Sequence, residues 1–338
     1  MKISEFKSQI GGLSKEQDPV LLHGSPGIGK TDLVKALSAQ GYKVQIFHPC
    51  VSDPTDYKGM PFAFMQDNAP QATFLPFGDT KILQEADEPT VAFYDDLGQA
   101  PVSVQAAIMQ QFLARKINGH SVSDKVWFMA ATNRAEDKAG VGSLIEPLKG
   151  RCTLVPVEAD IDDWCDWANA QPDFPAVVPA FLRFKTNLLD AFKPTRAMQN
   201  SPTPRNWARL AMKIKHGIDH HELLSGDVGE GAAVEFMAFK KVADSLPDPD
   251  ALLKNPASAE VPENKPDVMY ALMGALSHRA TPAVAANLVA YLERVPKEFA
   301  VLCMKDSFSR NSRNSKFTNH KAITQWCVDN ASVMSVVA

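Results

Sequence analysis

The stretch GSPGIGKT, Gly24 to Thr31, constrains the fold of this chain more than any other feature. It follows the apolar run Val20 to Leu22, which is typical of a buried strand, and precedes a segment with Leu33 and Leu37 at helical spacing. Glycines let a backbone turn tightly with its N–H groups pointing inward, and a helix N-terminus adds positive potential there. The sequence therefore predicts a strand, a phosphate-binding loop and a helix that ends near Gly41.

These eight residues fit the pattern G-x-x-x-x-G-K-[ST] at every fixed position. In such a loop Lys30 reaches the β- and γ-phosphates of ATP, and Thr31 ligates Mg²⁺. An ordinary glycine-rich turn is the alternative, and the flanking strand and helix patterns disfavour it. The predicted nucleotide contacts in this segment are Gly24, Pro26, Gly27, Ile28, Gly29, Lys30, Thr31 and Asp32.

A second stretch, TVAFYDDLGQAP from Thr90 to Pro101, reads as a buried strand that ends in Asp95 and Asp96. Open α/β sheets bind ligands at the carboxyl ends of their strands, so we expect Asp95 to lie beside the phosphate loop. There it would hold Mg²⁺ through water. An acidic turn at a strand end is the alternative, and the upstream phosphate loop argues against it.

The pattern of apolar residues changes along the chain. Strands alternate with helices up to about residue 158, and only helical periodicity follows, which predicts an α/β domain and then an all-α region. We predict an α/β nucleotide-binding domain over residues 1–158 with an irregular insert at about 53–88. An α-helical lid over 159–246 and a C-terminal helical extension over 247–338 complete the predicted division. The pair Asn118-Gly119 predicts a hairpin.

Composition narrows the class of protein. The chain has 338 residues, 45% of them hydrophobic and 22% charged, and its net charge of −4 disfavours a protein that coats nucleic acid, although a local basic groove stays open. Five cysteines, an odd number without a C-x-x-C pair, indicate a reduced protein without structural zinc. The N-terminus lacks an apolar signal region and no apolar run approaches 18 residues. We expect a cytoplasmic protein without a membrane span.

In their order along the chain, these motifs resemble those of AAA+ ATPases, and within them the MoxR-like group, over residues 18–215. GSPGIGKT matches Walker A, AFYDDLGQAP takes the Walker B place, and FMAATN resembles the sensor 1 strand. EPLKGRC resembles the segment that ends in an arginine finger, and SPTPRNW resembles the sensor 2 segment. The insert and the Asn118-Gly119 hairpin stand where this group carries its helix-2 insert and its pre-sensor-1 hairpin.

The resemblance assigns a role to each matching residue. Asp96 would polarise the attacking water, Asn133 would orient it, Arg151 would reach the site of a neighbouring subunit, and Arg205 would contact the nucleotide. Simpler interpretations exist for each position: a turn residue at a strand end for Asn133, a solvated helix-end cation for Arg151, and a surface arginine for Arg205. On that simpler interpretation Arg134 or Asp137, near Asn133, is a surface charge. Arg209 would then contact the nucleotide in place of Arg205.

The resemblance also implies an architecture and an activity. The fold would be an α/β P-loop AAA+ domain, with a parallel sheet and flanking helices, followed by an all-α lid and a C-terminal helical region. The protein would be a Mg-ATP-dependent ATPase, a ring and usually a hexamer, that remodels a protein substrate as a chaperone does. Its expected partner is a von Willebrand factor A domain on a separate polypeptide.

One residue departs from the family pattern. The group has glutamate where this chain has Asp96, whose carboxylate reaches about an ångström less far, and a misplacement of that size costs about a hundredfold in rate. A carboxylate retains the chemistry, so we predict a slow but active ATPase. The alternatives are a nucleic-acid-acting motor or loader, and a scaffold that binds ATP without hydrolysing it.

Overall fold

The computed structural model describes residues 1–137, 144–262 and 264–336. The chain divides into two compact units. The sheet unit comprises Met1–Glu158 with Phe192–Pro194, and the helical unit comprises Ala159–Ala191 with Thr195–Ala338. The helical unit thus takes in both segments that the sequence analysis assigned to a lid and to a C-terminal extension. Among the described residues, no helix has the length and the apolar content that crossing a membrane requires.

The sheet unit contains every strand of the described residues. Its strands are β1 (Val20–His23), β2 (Lys43–Phe47), β3 (Met60–Gln66), β4 (Ala69–Leu75), β5 (Thr90–Tyr94), β6 (Lys116–Ile117), β7 (His120–Ser121), β8 (Val126–Thr132) and β9 (Thr153–Pro156). Its helices are α1 (Ile3–Glu16), α2 (Lys30–Lys35), α3 (Pro54–Lys58), α4 (Gly78–Gln84), α5 (Val102–Ala114) and α6 (Glu146–Lys149).

Five of these strands form one sheet in the order β2–β5–β8–β1–β9, and every neighbouring pair is parallel. Strands β5 and β8 are buried along their whole length, which explains why their sequences are near-continuous apolar runs. Strand β8 lies between β1 and β5, and His23 pairs with Thr132 at the carboxyl edge. The sheet therefore places the residues that follow β1, β5 and β8 side by side, and it confirms the predicted α/β fold.

Two hairpins extend from the chain outside this sheet. Strands β3 and β4 pair antiparallel within the predicted insert, and their turn residues Asp67 and Asn68 adopt φ of 51° and 60°. Strands β6 and β7 flank Asn118 and Gly119, whose φ values of 46° and 91° suit a two-residue hairpin turn. The hairpin predicted from Asn118-Gly119 is confirmed, and the insert consists of α3, β3, β4 and α4.

The helical unit is built from helices alone over its described residues. These are α7 (Ile161–Ala170), α8 (Val177–Phe184), α9 (Pro204–Lys215), α10 (His221–Val228), α11 (Glu230–Asp244), α12 (Pro249–Lys254), α13 (Pro266–Arg279), α14 (Ala285–Leu292), α15 (Lys297–Arg310), α16 (Ser315–Thr318), α17 (Lys321–Asp329) and α18 (Ala331–Val336). This confirms the all-α region predicted after the sheet.

Two apolar clusters form the core of the helical unit. One surrounds Trp207 and Phe181, and the other surrounds Tyr291 and Trp326. Helix α13 contributes side chains to both clusters. It approaches α8 closely at Gly274, where an added Cβ would lie 2.9 Å from the Cβ of Ala180. The two clusters are therefore packed on a shared helix rather than joined by a flexible linker.

Candidate functional site

The loop between β1 and α2 has a backbone that requires its glycines. Gly27 and Gly29 have φ of 79° and 100°, in the region that side chains with a Cβ rarely adopt. A Cβ at Gly24 would lie 2.4 Å from the carbonyl oxygen of Val157 and 2.6 Å from Cδ1 of Ile28. The loop thus wraps tightly because both its conformation and its surroundings exclude larger residues.

The side chain of Lys30 lies within this loop and is 6% exposed. Its ammonium group donates to the carbonyl oxygens of Gly24 at 2.8 Å and Ser25 at 2.9 Å, and to Oδ1 of Asn133 at 2.8 Å. Asn133 follows directly after β8, and Lys30 begins α2. Two residues that are 103 positions apart in sequence are therefore in direct contact at the carboxyl edge of the sheet.

Thr31 and Asp95 form a second contact between the loop and the sheet edge. The hydroxyl of Thr31 donates to Oδ2 of Asp95 at 2.8 Å, and the backbone N–H of Asp95 donates to the carbonyl of Phe47 at 3.0 Å. Hydroxyl and carboxylate oxygens are the ligands that Mg²⁺ prefers, together with phosphate oxygens. The donor set and the spacing of this pair therefore fit a magnesium ion.

Asp96 has an unusual backbone conformation. Its φ is 54° and its ψ is 35°, the left-handed region that few residues with a Cβ adopt. The amide nitrogen of Asn133 donates to Oδ1 of Asp96 at 3.4 Å. Because the chain turns sharply at this residue, the position of the carboxylate depends on the backbone as well as on side-chain length. The sequence-based comparison of aspartate with glutamate considered side-chain length alone.

Arg134 and Asp137 are involved in the site more closely than the sequence suggested. The guanidinium of Arg134 donates to the hydroxyl of Ser25 at 2.6 Å and binds the carboxylate of Asp137 at 2.9 and 3.0 Å. Asp137 is 4% exposed, so its interpretation as a surface charge is wrong. The only signal in the sequence was an arginine followed by an acid three residues later, which is a common surface pattern.

These cations affect the neighbouring His23, the last residue of β1. Burial is the largest cause that lowers the pKa of the partly buried imidazole, and the positive charge of Arg134 lowers the pKa further. The negative charge of Glu136 opposes this in part, and Lys30 adds a smaller lowering. His23 is therefore neutral at pH 7. Arg134 is paired with Asp137, so the cation placed inside the phosphate loop, where an anionic ligand would bind, is Lys30.

Arg151 lies after α6 and before β9, and the structure does not bring it to the phosphate loop of its own chain. Its Nη1 donates to the carbonyl of Pro147, one turn back on α6. Its Nε has no hydrogen-bond partner among the residues that the structure describes. This nitrogen is buried, and the role of Arg151 toward a neighbouring subunit stays a prediction.

The two arginines considered for the sensor 2 position both lie on α9 in the helical unit. Arg205 is exposed in the first turn of this helix. Arg209 pairs with Asp227 at 3.2 Å, and Lys213 contacts the same carboxylate, which is 1% exposed. Since Arg209 neutralises a buried acid within its own unit, Arg205 is the better candidate of the two, and its contact with a nucleotide stays a prediction.

The remaining predicted loop residues have ordinary positions. Ile28 is 3% exposed and packs beneath the loop, Pro26 is partly exposed within it, and Asp32 is exposed in the first turn of α2. An acid in the first turn of a helix complements the positive helix N-terminus. Whether these side chains touch a nucleotide stays a prediction, whereas the backbone at these positions shapes the loop.

Comparison with known families agrees with this geometry. Residues 20–155 match the model of the family described as ATPase family associated with various cellular activities (AAA). This range holds the phosphate loop, Asp95, Asp96 and Asn133. The match covers less than half of the chain and lies within the sheet unit, which has the AAA+ P-loop fold, and a helical C-terminal region follows it. No curated protein matches the chain.

Among solved structures, the chain is similar to RuvB of Thermotoga maritima. One RuvB mutant is 16% identical, with 89% of this chain and 87% of that chain covered and a TM-score of 0.43. A second mutant is 16% identical, with 88% and 85% covered and a TM-score of 0.39. The Thermotoga maritima RuvB Holliday junction branch migration motor is 15% identical, with 88% and 85% covered and a TM-score of 0.37. Similarity at this level does not define an activity.

Proposed function

We propose that this protein is a Mg-ATP-dependent ATPase of the MoxR-like group, which assembles into a ring and remodels a protein partner. The observation that carries the ATPase proposal is the meeting of five side chains at the carboxyl edge of one sheet. A cation, a hydroxyl, two carboxylates and an amide stand together there: Lys30, Thr31, Asp95, Asp96 and Asn133.

Each of these groups has a defined part in phosphoryl transfer. Lys30 and the loop N–H groups bind the β- and γ-phosphates, and Thr31 and Asp95 hold Mg²⁺. The bound ion supplies charge neutralisation on the phosphate oxygens. Asp96 accepts a hydrogen bond from the attacking water, and Asn133 orients it. The shared contact of Asn133 with Lys30 and Asp96 supports these roles because it fixes the amide between a cation and an anion.

The proposed ring rests on Arg151. The transition state of phosphoryl transfer carries charge that an arginine from another subunit can neutralise. Arg151 contacts its own α6 and not its own phosphate loop, which is consistent with a residue that acts on a neighbour. A hexamer is the assembly we propose, with Arg205 as the nucleotide contact from the α-helical lid. The proposed location is the cytoplasm.

The hairpin β3–β4 favours a protein substrate over nucleic acid. Residues 60–75 contain no lysine or arginine, and their side chains are exposed on both faces of the hairpin except Thr73, which is partly buried. Phe62 and Phe64 stack with ring centroids 6.4 Å apart and are 50% and 38% exposed. Binding to a phosphate backbone draws its affinity from lysine and arginine, so an aromatic hairpin without basic residues fits an apolar protein segment better. The von Willebrand factor A domain partner remains part of this proposal.

Steady-state ATP hydrolysis measured against protein concentration tests the proposal. We expect specific activity to rise with concentration and to be lost in both Asp96→Asn and Arg151→Ala. If one site is shared by two subunits, mixing the two inactive variants equally restores about one interface in four, because some interfaces combine an intact Asp96 with an intact Arg151.

Three results would contradict the proposal. ATP binding without turnover at any concentration would favour a scaffold that binds ATP and does not hydrolyse it. Activity that depends on added DNA, and not on unfolded protein, would favour a nucleic-acid motor. A mixture of the two variants that stays inactive, while each still assembles with the wild-type chain, would exclude Arg151 as the residue supplied by the neighbour.

A further inference from the structure

A chain of buried hydrogen bonds joins the end of strand β5 to the base of the exposed hairpin β3–β4. The hydroxyl of Tyr94 donates to Oε1 of Gln111, and Nε2 of Gln111 donates to the carbonyl of Tyr57 at 3.0 Å. These residues are 0%, 1% and 3% exposed. Tyr94 directly precedes Asp95, and Tyr57 lies three residues before Met60, where β3 begins. The connection therefore runs from the candidate nucleotide site to the hairpin.

Every group in this connection has one possible orientation. The carbonyl of Tyr57 only accepts, so the amide nitrogen of Gln111 faces it and the amide oxygen faces Tyr94. The hydroxyl of Tyr94 must then donate, because the amide oxygen of Gln111 can only accept. The rings of Tyr94 and Tyr57 also pack together, with centroids 6.0 Å apart. These hydrogen bonds can therefore be made in only one way, and ring packing further restricts the three residues.

The second hairpin, β6–β7, forms hydrogen bonds with the base of β3–β4, both just before β3 and within β4. The side-chain amide of Asn118 donates to the carbonyl of Lys58 at 2.5 Å, and the imidazole of His120 bonds the carbonyl of Phe74 at 2.9 Å. Both residues follow α5, the helix that carries Gln111. Helix α5 and the hairpin after it therefore form hydrogen bonds with three backbone carbonyls at the base of β3–β4.

Close packing at this base limits independent movement. Gly59, between Tyr57 and β3, has φ of 90°, and a Cβ there would lie 2.8 Å from the carbonyl of Leu75. Separating Gln111 from either partner would leave buried polar groups unpaired, which is unfavourable because those groups lose their hydrogen bonds without gaining water. The end of β5 and the base of the hairpin should consequently move together or not at all.

We propose that Gln111 is a positioning residue that couples the hairpin β3–β4 to the nucleotide site. Its carboxamide fixes Tyr57 relative to Tyr94, so that a displacement of Asp95 and Asp96 on nucleotide binding displaces the hairpin. This coupling rests on the proposed ATPase function, because it needs a nucleotide that acts on these two acids. It adds a route by which the site controls the surface that binds the substrate.

Hydrogen exchange of the backbone amides in residues 57–75 measures this coupling. The variant Gln111→Met keeps the size of the side chain and removes both hydrogen bonds. Gln105→Met is its matched control, because Gln105 lies on the same helix, is also 1% exposed and also makes two side-chain hydrogen bonds, in its case to two backbone groups. The partners of Gln105 are Ala100 and Ile145, which lie outside the hairpin and its base.

Exchange is compared with and without a slowly hydrolysed Mg-ATP analogue, beside a direct titration of its affinity. In the wild type and in Gln105→Met, we expect the analogue to change exchange in residues 57–75. In Gln111→Met we expect this change to shrink at least about fivefold while the affinity stays within about threefold. Tyr94→Phe keeps the ring and removes one hydroxyl, so it reports on the same link if Gln111→Met does not fold.

The outcomes separate the coupling from the proposed function. A full response in Gln111→Met and Tyr94→Phe overturns the coupling, as does an equal loss of response in Gln105→Met. A wild type that binds and hydrolyses ATP without any change in residues 57–75 also overturns the coupling and leaves the ATPase proposal intact. A wild type that binds no nucleotide overturns both.

Discussion

The ammonium group of Lys30 donates a hydrogen bond to Oδ1 of Asn133 over 2.8 Å, and the amide nitrogen of the same asparagine donates to Asp96 over 3.4 Å. Asn133 is therefore held between a cation and an anion. The two contacts fix the orientation of its amide, since the oxygen must face Lys30 and the nitrogen must face Asp96. The residue that follows β8 thus contacts both the phosphate loop and the second acid after β5.

Two substitutions of Asn133 should separate binding from hydrolysis. Asn133→Asp places a carboxylate against Lys30 that competes with phosphate for the ammonium group, so we expect ATP affinity to fall by about tenfold or more. Asn133→Ala removes the orienting amide and leaves Lys30 for the phosphates, so affinity should stay near wild type while kcat falls about 10²–10³-fold. Titration of a fluorescent ATP analogue beside steady-state kinetics checks both. Equal affinities in the two variants would contradict the competition.

Gly24→Ala should destabilise the phosphate loop. The new Cβ would meet the carbonyl of Val157 at 2.4 Å, a backbone atom that cannot rotate away. We expect the free energy of unfolding to fall by about 1–3 kcal/mol. Gly11→Ala is the control, because Gly11 lies inside α1 with nothing within 4 Å of its added Cβ. It should raise stability by about 0.5–1 kcal/mol. Urea unfolding of both variants measures these changes. A Gly24→Ala protein as stable as the wild type would contradict the prediction and show that the loop repacks around the new Cβ.

Stability should fall as the pH drops below about 6.5, the ordinary pKa of histidine. Burial and the charges of Arg134 and Lys30 depress the folded-state pKa of His23, so the unfolded chain binds a proton there first. The contribution of neutral His23 to stability is complete above the pKa of this residue in the unfolded chain. It is lost as the pH falls from that value to the lower pKa of His23 in the folded protein. Urea unfolding at pH 7.5 and 5.5 measures it, and His23→Gln should reduce the difference. An unchanged difference would assign the pH dependence to other groups.

The buried ion pair of the helical unit gives a stability prediction. Arg183 donates to Asp306 at 2.9 Å and to Asp162 at 2.6 Å, and Arg183 and Asp306 are almost fully buried. Arg183→Met leaves Asp306 buried without its partner, so we expect a loss of about 3–5 kcal/mol at pH 7.5. Burial already raises the pKa of Asp306, and removing Arg183 raises it further, so part of this loss should be recovered as the pH falls.

A second variant tests whether the pair itself causes that loss. Arg183→Met with Asp306→Leu removes both charges, and we expect it to be more stable than Arg183→Met alone, because the carboxylate of Asp306 is then not left buried without the guanidinium of Arg183. Chemical denaturation of the two variants provides the comparison. A double variant that is less stable than the single one would mean that the loss comes from packing around Arg183.

The aromatic face of the hairpin should matter for substrate and not for basal turnover. Phe62 and Phe64 stack on one exposed face, so the double change Phe62→Ser with Phe64→Ser should keep ATP hydrolysis near wild type. It should abolish stimulation by a reduced, carboxymethylated unfolded protein, which presents apolar segments. Thr73→Ser, on the strand that pairs with Phe62, is the control. Stimulation that survives in the double variant would place substrate binding elsewhere.

Several features were predictable because they depend on neighbours in sequence. The phosphate loop follows from glycine positions, and the turn at Asn118-Gly119 follows from the left-handed conformations that these two residues tolerate. The apolar runs of β5 and β8 indicated a buried parallel sheet for the same reason, since a strand covered on both faces needs apolar residues throughout.

Other features were not predictable because they depend on residues far apart in the chain. Arg134 and Ser25 are 109 positions apart, and Gln111 and Tyr57 are 54 positions apart, so no local pattern records either contact. Gln111 occupies an ordinary position of an apolar helix. Only its burial shows that both of its polar ends need partners.

The sequence by itself determined the strand, loop and helix of the P-loop motif, the alternating α/β order and the acids that end β5, because glycine conformation and apolar periodicity act over a few residues. Only the tertiary structure decided that β8 lies between β1 and β5, which brings Asn133 into contact with Lys30 and Asp96. It also decided that Asp96 adopts a left-handed conformation and that Gln111 links Tyr94 to Tyr57. Strand order and long-range hydrogen bonds minimise the free energy of the whole fold, and no short segment encodes them.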